Sequence, residues 1–235
     1  MPASSPPRIP DAAALATLPA TPLVRGRWIK ADVECVDWHG RKIVVKTFRR
    51  KSFLVRWLGR QQIAREARAY EALAGLAGIP ALLGRPDAHT LLLEYVAGER
   101  LTHLRLQPGR GRKAVEALQR LVDAVHERGV AHLDLRGRDN VLATTDEQLH
   151  LIDFAAASVS PAGSWRRRVL FPRLRSIDRS ALLKWKRLLT PEDLTEKEQA
   201  RLRRYGRWRR LWVFNRKELG PSDRAAREAA RRAPR

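Results

Sequence analysis

One segment in the middle of the chain leaves few choices of fold. Val115 to Arg128 places Val115, Leu118, Leu121, Val122 and Val125 at helical spacing, and Gly129 follows as the residue favoured just past a helix end. Two short apolar runs come next, Asn140-Val141-Leu142-Ala143 and Leu149-His150-Leu151-Ile152, on either side of the polar turn Thr145-Asp146-Glu147-Gln148. The pattern is an amphipathic helix followed directly by a β-hairpin. Asp134 falls in the loop between them, Asn140 opens the hairpin and Asp153 closes it.

A second hairpin is expected upstream. Val33-Glu34-Cys35-Val36 and Ile43-Val44-Val45-Lys46-Thr47-Phe48 flank Asp37-Trp38-His39-Gly40-Arg41, a turn-rich spacer. Gln61 to Leu76 is rich in Ala, Leu, Glu and Arg without proline, which predicts a helix ending at Gly75, Gly78 and Pro80. Leu91-Leu92-Leu93-Glu94-Tyr95-Val96 reads as a buried strand entering a loop at Ala97-Gly98.

The run Val125-His126-Glu127-Arg128-Gly129-Val130-Ala131-His132-Leu133-Asp134-Leu135, followed by Asn140-Val141-Leu142 and then Leu151-Ile152-Asp153-Phe154, resembles the protein-kinase superfamily. The resemblance implies an α+β, two-lobed protein-kinase-like fold with a small β-rich N-lobe and an abbreviated helical C-lobe. It also implies transfer of the γ-phosphoryl group of ATP, with Mg²⁺, to a hydroxyl. His132-Leu133-Asp134 stands for H-R-D and Asp153-Phe154-Ala155 for D-F-G, making Asp134 the catalytic base and Asp153 a metal ligand. Lys46 falls where V-A-I-K puts the lysine that meets the phosphates, and Glu66, twenty residues on, becomes its partner. The backbones of Glu94 and Val96 become the hinge that meets the adenine edge, and Val33 ends the phosphate-covering loop. His132 is read as a structural brace under Phe154 and not as a base.

Several positions depart from the family pattern. Asn140 lies six residues after Asp134, where the motif has five, so Asn140 with one inserted residue and Asp139 are alternative metal ligands. Leu133 replaces the arginine that usually receives an activation-loop phosphate. Gly26 keeps one glycine place, but Trp28 and Ala31 occupy the later two, with Lys30 as a compensating charge. Only 82 residues follow Asp153, and none forms an A-P-E-like motif. This abbreviated plan is similar to the RIO-type and lipopolysaccharide (heptose and 3-deoxy-manno-octulosonic acid) kinases. Asp178 is either the helix residue that braces the catalytic loop or an N-cap.

Composition adds the remaining expectations. Cys35, the one cysteine, excludes an intramolecular disulfide and a cysteine-based zinc site, suits a reducing compartment such as the cytoplasm, and reads as a small buried filler. No run approaches the ~20 apolar residues of a membrane span. The net charge of +22 predicts an anionic partner. Residues after Trp165 hold 23 Lys or Arg against 8 acids, a net +15. Thr195-Glu196-Lys197-Glu198 is a capping box, and Leu202, Tyr205, Trp208, Leu211 and Trp212 line up behind it. That tail packs on the helical lobe, lies on the anionic inner face of a membrane, or stacks on RNA.

The expected organisation is a flexible Pro/Ala-rich lead-in over 1–22, where six of the fourteen prolines lie, an N-lobe over 23–96, a C-lobe over 97–194 and the basic tail over 195–235. The function to test is a Mg²⁺-ATP-dependent kinase acting on a lipopolysaccharide-type sugar or a protein Ser/Thr hydroxyl. Its rival is a pseudokinase, a basic module that holds membrane or RNA without catalysis.

Overall fold

The structure, a computed structural model, describes residues 9–102, 110–137 and 139–211, with side chains described as far as Arg203. The chain divides into two compact units, the second beginning at Leu194.

The first unit opens with α1 (Ala14–Thr17), then β1 (Ala20–Val24), β2 (Asp32–Trp38), β3 (Arg41–Thr47), α2 (Phe53–Ala72), β4 (Leu82–Asp87) and β5 (Thr90–Glu94). The five strands form one antiparallel sheet in the order β1-β2-β3-β5-β4. The β2–β3 hairpin closes over His39-Gly40, whose φ values of 53° and 77° give the two-residue turn whose twist matches the strands. Asp37 secures it by accepting the Gly40 N–H at 2.8 Å.

Register decides which residues face the site. Lys46 sits opposite Val33 on one side and Leu91 on the other, so the three share one face of the sheet. Val36, Ile43, Val45 and Leu92 occupy the opposite face and pack with Leu15 and Leu18. Both faces of the sheet therefore carry buried residues.

The second half adds β6 (Gly98–Arg100), α3 (Arg110–Glu127), β7 (Val130–Ala131), β8 (Val141–Thr144), β9 (Leu149–Leu151), β10 (Ser158–Val159), α4 (Trp165–Val169) and α5 (Phe171–Leu189). Strand β8 pairs with both β6 and β9, and α3 and α5 pack together. One continuous core joins the two halves, running from Phe48, Ile63 and Leu91 through Phe154 to Leu118, Leu151 and Trp185. Each such side chain buried whole contributes roughly 1.5–3 kcal/mol. At the end of α3, Gly129 has φ 76° and its N–H donates to the His126 carbonyl, as a left-handed helix stop requires.

Four expectations need correction. Within the lead-in expected to be flexible over 1–22, residues 14–17 form α1 and residues 20–22 begin β1; Pro22 is tolerated because β1 is an edge strand. The helix expected over 61–76 spans 53–72, its first turns being apolar residues that resemble strand more than helix. The strand expected through Val96 ends at Glu94. Cys35 is half-buried instead of a core filler, and partial burial pushes its thiol pKa up.

The second unit contains α6 (Glu196–Leu211). Its capping box is formed: Glu198 Oε2 accepts the Thr195 N–H at 2.9 Å, and Thr195 Oγ1 accepts the Glu198 N–H at 3.3 Å. The side chains of Tyr205, Trp208 and Leu211, and all of Trp212, lie outside the described residues.

Candidate active site

Strand β3 carries Lys46 into the space between sheet and α2, where it is almost wholly buried. Its Nζ lies 2.9 and 2.8 Å from the two carboxylate oxygens of Glu66, and 2.7 Å from Asp153 Oδ1. Burial is the largest single influence on this ammonium and opposes its charge. The two carboxylates together outweigh it and hold the pKa up at about 12.

The carboxylates fare differently. Glu66 is fully buried, and desolvation pushes its pKa up against the pull of Lys46. Asp153 is also opposed by burial, but Lys46 and the Ala155 N–H bring its pKa down. Asp153 is therefore the firmer anion and has more of its side chain open to solvent.

Asp153 adopts the left-handed conformation (φ 64°, ψ 70°), unusual for a residue with a Cβ. What fixes it is Phe154, fully buried between Tyr70, edge-on at 5.1 Å, and His132 at 4.6 Å. His132 thus has the bracing place expected for it. Its Nδ1 accepts the Asp134 N–H at 3.4 Å, which leaves Nε2 as the donor to the Ile152 carbonyl at 3.1 Å. Burial lowers its pKa, so the neutral ring this network needs is the favoured form.

Asp134 and Asn140 face one another across the loop between β7 and β8. Asn140 Nδ2 donates to the Asp134 carbonyl at 2.9 Å and to Asp134 Oδ2 at 3.3 Å, an orientation that turns Asn140 Oδ1 away from that carboxylate. The Ile152 N–H donates to the Asn140 carbonyl at 3.1 Å, so the closing of the hairpin brings the Asn140 backbone to the residue just before Asp153. Asp139, the alternative ligand, is mostly exposed and pairs with Arg100 at 3.1 Å. Among the described residues, no group of three or more His, Cys, Asp or Glu could hold a metal unaided. One carboxylate and one amide oxygen fit Mg²⁺ nonetheless, because that ion keeps waters and completes its shell with substrate phosphates.

The loop itself hangs from α5. Asp178 is buried in the middle of that helix, so it is not an N-cap. Its Oδ2 accepts the His132 N–H at 2.8 Å and faces His126 Nε2 at 2.9 Å, while Oδ1 accepts the Leu133 N–H at 2.8 Å. These bonds hold Leu133 at φ 66°. Two further supports escaped sequence reading: Trp185 Nε1 donates to the Leu135 carbonyl at 2.9 Å, and Lys184 Nζ to the Arg136 carbonyl at 2.5 Å. Their spacing of one to two helical turns from Asp178 is the available signal.

Val33 lies on the Lys46 face of the sheet, and the Glu94 N–H donates to the Ala81 carbonyl at 2.9 Å, fixing the end of β5 just before Val96. A concavity beside the end of β5 is lined by Ile79, Glu94, Val96, Thr144, Asp146 and His150 among others, and by none of Lys46, Asp134 or Asp153. The β1–β2 loop is a tight, stapled turn. Asp32 Oδ1 accepts the Gly26 N–H at 3.0 Å, and Lys51 Nζ donates to both the Gly26 carbonyl and Asp32, at 2.7 and 2.8 Å. A Cβ on Gly26 would meet the Lys30 carbonyl at 2.2 Å, which explains this glycine. Trp28, at φ 51°, projects from the tip, and Lys30 is exposed.

No protein-family profile matches the sequence, and no curated protein matches it. Among solved structures, the chain is similar to the crystal structure of the Rio2 kinase-ADP/Mg2+-phosphoaspartate complex from Chaetomium thermophilum. The TM-score is 0.56 with 16% identity, over 78% of this chain and 60% of that one. The chain thus spans less than two thirds of that kinase chain. Together with the sheet, the helix behind Lys46 and the braced loop, this likeness establishes a protein-kinase-like fold.

Proposed function

We propose that the protein is a Mg²⁺-ATP-dependent phosphotransferase with a hydroxyl acceptor. The observation that carries this reading is Lys46 bridging Glu66 and Asp153, with the Asp134–Asn140 pair held by the same hairpin. An ammonium fixed between two carboxylates is placed to meet phosphate oxygens without reorganising, the condition under which charge stabilises a transition state most.

In this reading the hinge backbone at Glu94 and Val96 receives the adenine and Val33 covers it. Lys46, oriented by Glu66, contacts the phosphates. Asp153 and Asn140 would hold Mg²⁺, which when bound would supply positive charge at the phosphates. Asp134, turned by the Asn140 amide, takes the proton of the acceptor hydroxyl as its oxygen bonds to the γ-phosphorus and ADP leaves. That role is worth about 10²–10⁴ in rate. The acceptor is a hydroxyl of a lipopolysaccharide-type sugar or a protein Ser/Thr. Only a short 3-10 turn, β10 and α4 separate Asp153 from α5, leaving little segment to dock a peptide and favouring the sugar. The setting is the cytoplasm, including the inner face of a membrane if the acceptor is lipid-linked.

Calorimetric titration with ATP tests the binding half of the reading. The wild type is expected to bind only weakly without Mg²⁺, and Asp153→Ala to lose the Mg²⁺-dependent gain. A wild-type protein with no affinity for Mg²⁺-ATP would leave the pseudokinase reading, which Trp28 and the stapled turn in place of a glycine-rich loop favour.

A further inference from the structure

The first two turns of α2 present to solvent side chains that a core-forming helix would bury. Phe53 is 85% exposed, and Leu54, Trp57 and Leu58 are also exposed, while the same helix buries Ile63, Ala67 and Tyr70 further on. These four residues lie within about one and a half turns of one another and form a single apolar surface. The β1–β2 turn adds Trp28, 83% exposed, and Ile29. The two segments are tied together, because Lys51, just ahead of the helix, holds the Gly26 carbonyl of the turn at 2.7 Å.

The charge around this surface has one sign. Residues 49–65 contain six Lys or Arg and no Asp or Glu. Three of these cations have partners in the N-lobe: Arg49 with Asp87, Arg50 with Glu34 and Lys51 with Asp32. Arg56 and Arg60 are exposed among the apolar side chains, and Arg25, Arg27 and Lys30 are exposed in the turn. Contiguous exposed apolar side chains rimmed by polar ones mark a binding surface.

We infer that this face docks on an anionic lipid surface, with Phe53, Trp57 and Trp28 entering the headgroup region and the arginines meeting lipid phosphates. Two physical points select lipid over RNA and over a second copy of the chain. Leu54, Leu58 and Ile29 gain by leaving water for acyl chain but gain nothing from stacking on bases, so half of the apolar set would be idle on RNA. A second copy of the chain would bring like charges together. The helix that would dock is the one that carries Glu66, which sets the site at the membrane surface independently of the basic tail.

Flotation of the full chain with phosphatidylcholine vesicles, with and without phosphatidylglycerol, tests the inference without nucleotide, so it can fail separately from the phosphotransferase reading. The chain is expected to float with the anionic vesicles and not with the neutral ones. Phe53→Ser/Trp57→Ser is expected to weaken that binding about tenfold or more, from lost apolar area. Arg56→Glu/Arg60→Glu, which leaves the apolar residues in place, is expected to weaken it similarly and serves alone if the first variant unfolds. Binding by both variants equal to wild type would overturn the inference, as would wild-type protein that ignores anionic vesicles. A solution dimer dissolved by the Trp57 change, or retention by RNA in place of vesicles, would overturn it too.

Discussion

Lys46 Nζ lies 2.7 Å from Asp153 Oδ1, joining residues 107 positions apart in the chain, while the same ammonium rests on Glu66 of α2. Sheet, helix and the turn after β9 therefore meet at one buried cation. A change at any of the three is felt by the other two.

Removing Glu66 is the sharpest probe of that arrangement. Glu66→Ala leaves a buried ammonium with one partner in place of two, and breaking a buried pair costs on the order of 3–5 kcal/mol. Because Asp153 remains, a loss of about 3 kcal/mol is expected in urea denaturation. ATP affinity should fall with it, and Glu66→Gln should recover part of the stability.

Acid sensitivity should map to His132. Burial keeps its pKa below the ordinary 6.5, so below that pH the unfolded chain binds a proton that the folded one resists. Stability therefore falls as pH drops from 6.5 toward the lowered value. The unfolding midpoint of His132→Asn should depend less on pH in that window than the wild type, whatever its absolute value. At the alkaline end the sign is reversed for Lys46, whose contribution is complete below 10.5 and lost as pH rises through about 12.

Asp178 is expected to matter more for stability than its distance from the phosphate end suggests. Asp178→Ala orphans two backbone N–H groups and the His126 ring, each a buried donor worth about 1–3 kcal/mol when left without a partner. Loss of several kcal/mol in chemical denaturation is the expected result. Leu133→Gly should relieve part of the left-handed strain and be tolerated.

Asn140 and Asp139 can be separated by Mg²⁺ titration of ATP turnover. Asn140→Ala should raise the Mg²⁺ requirement by tenfold or more. Asp139→Ala should leave it unchanged and alter stability by less than about 1 kcal/mol, as expected for an exposed pair.

The parts of this fold legible in sequence are those with local periodicity. The helix over α3 and the two hairpins were expected near their observed places, and with them the positions of Asp134, Asn140 and Asp153. Lys46 and Glu66 were legible as a pair through order and spacing, although only the fold brings Lys46 and Asp153 together. Asp178 stayed ambiguous because cap and brace differ only in what lies across the space from α5. Strand β1 was hidden by proline, since its stability comes from pairing with β2 and not from local preference. The beginning of α2 was hidden because Phe53, Leu54, Trp57 and Leu58 face solvent, where a pattern based on burial does not look.

Phosphoryl transfer through Asp134 is tested most directly by radiolabel transfer from γ-labelled ATP. Wild-type protein, Asp134→Ala and Asp153→Ala would be compared with sugar, lipid-linked sugar and protein acceptors, with Mg²⁺ and after its removal by chelation. Mg²⁺-dependent transfer by the wild type, lowered about 10²–10⁴-fold in Asp134→Ala, is the predicted result. Transfer undiminished in Asp134→Ala, or folded wild-type protein that transfers nothing to any acceptor, would contradict it.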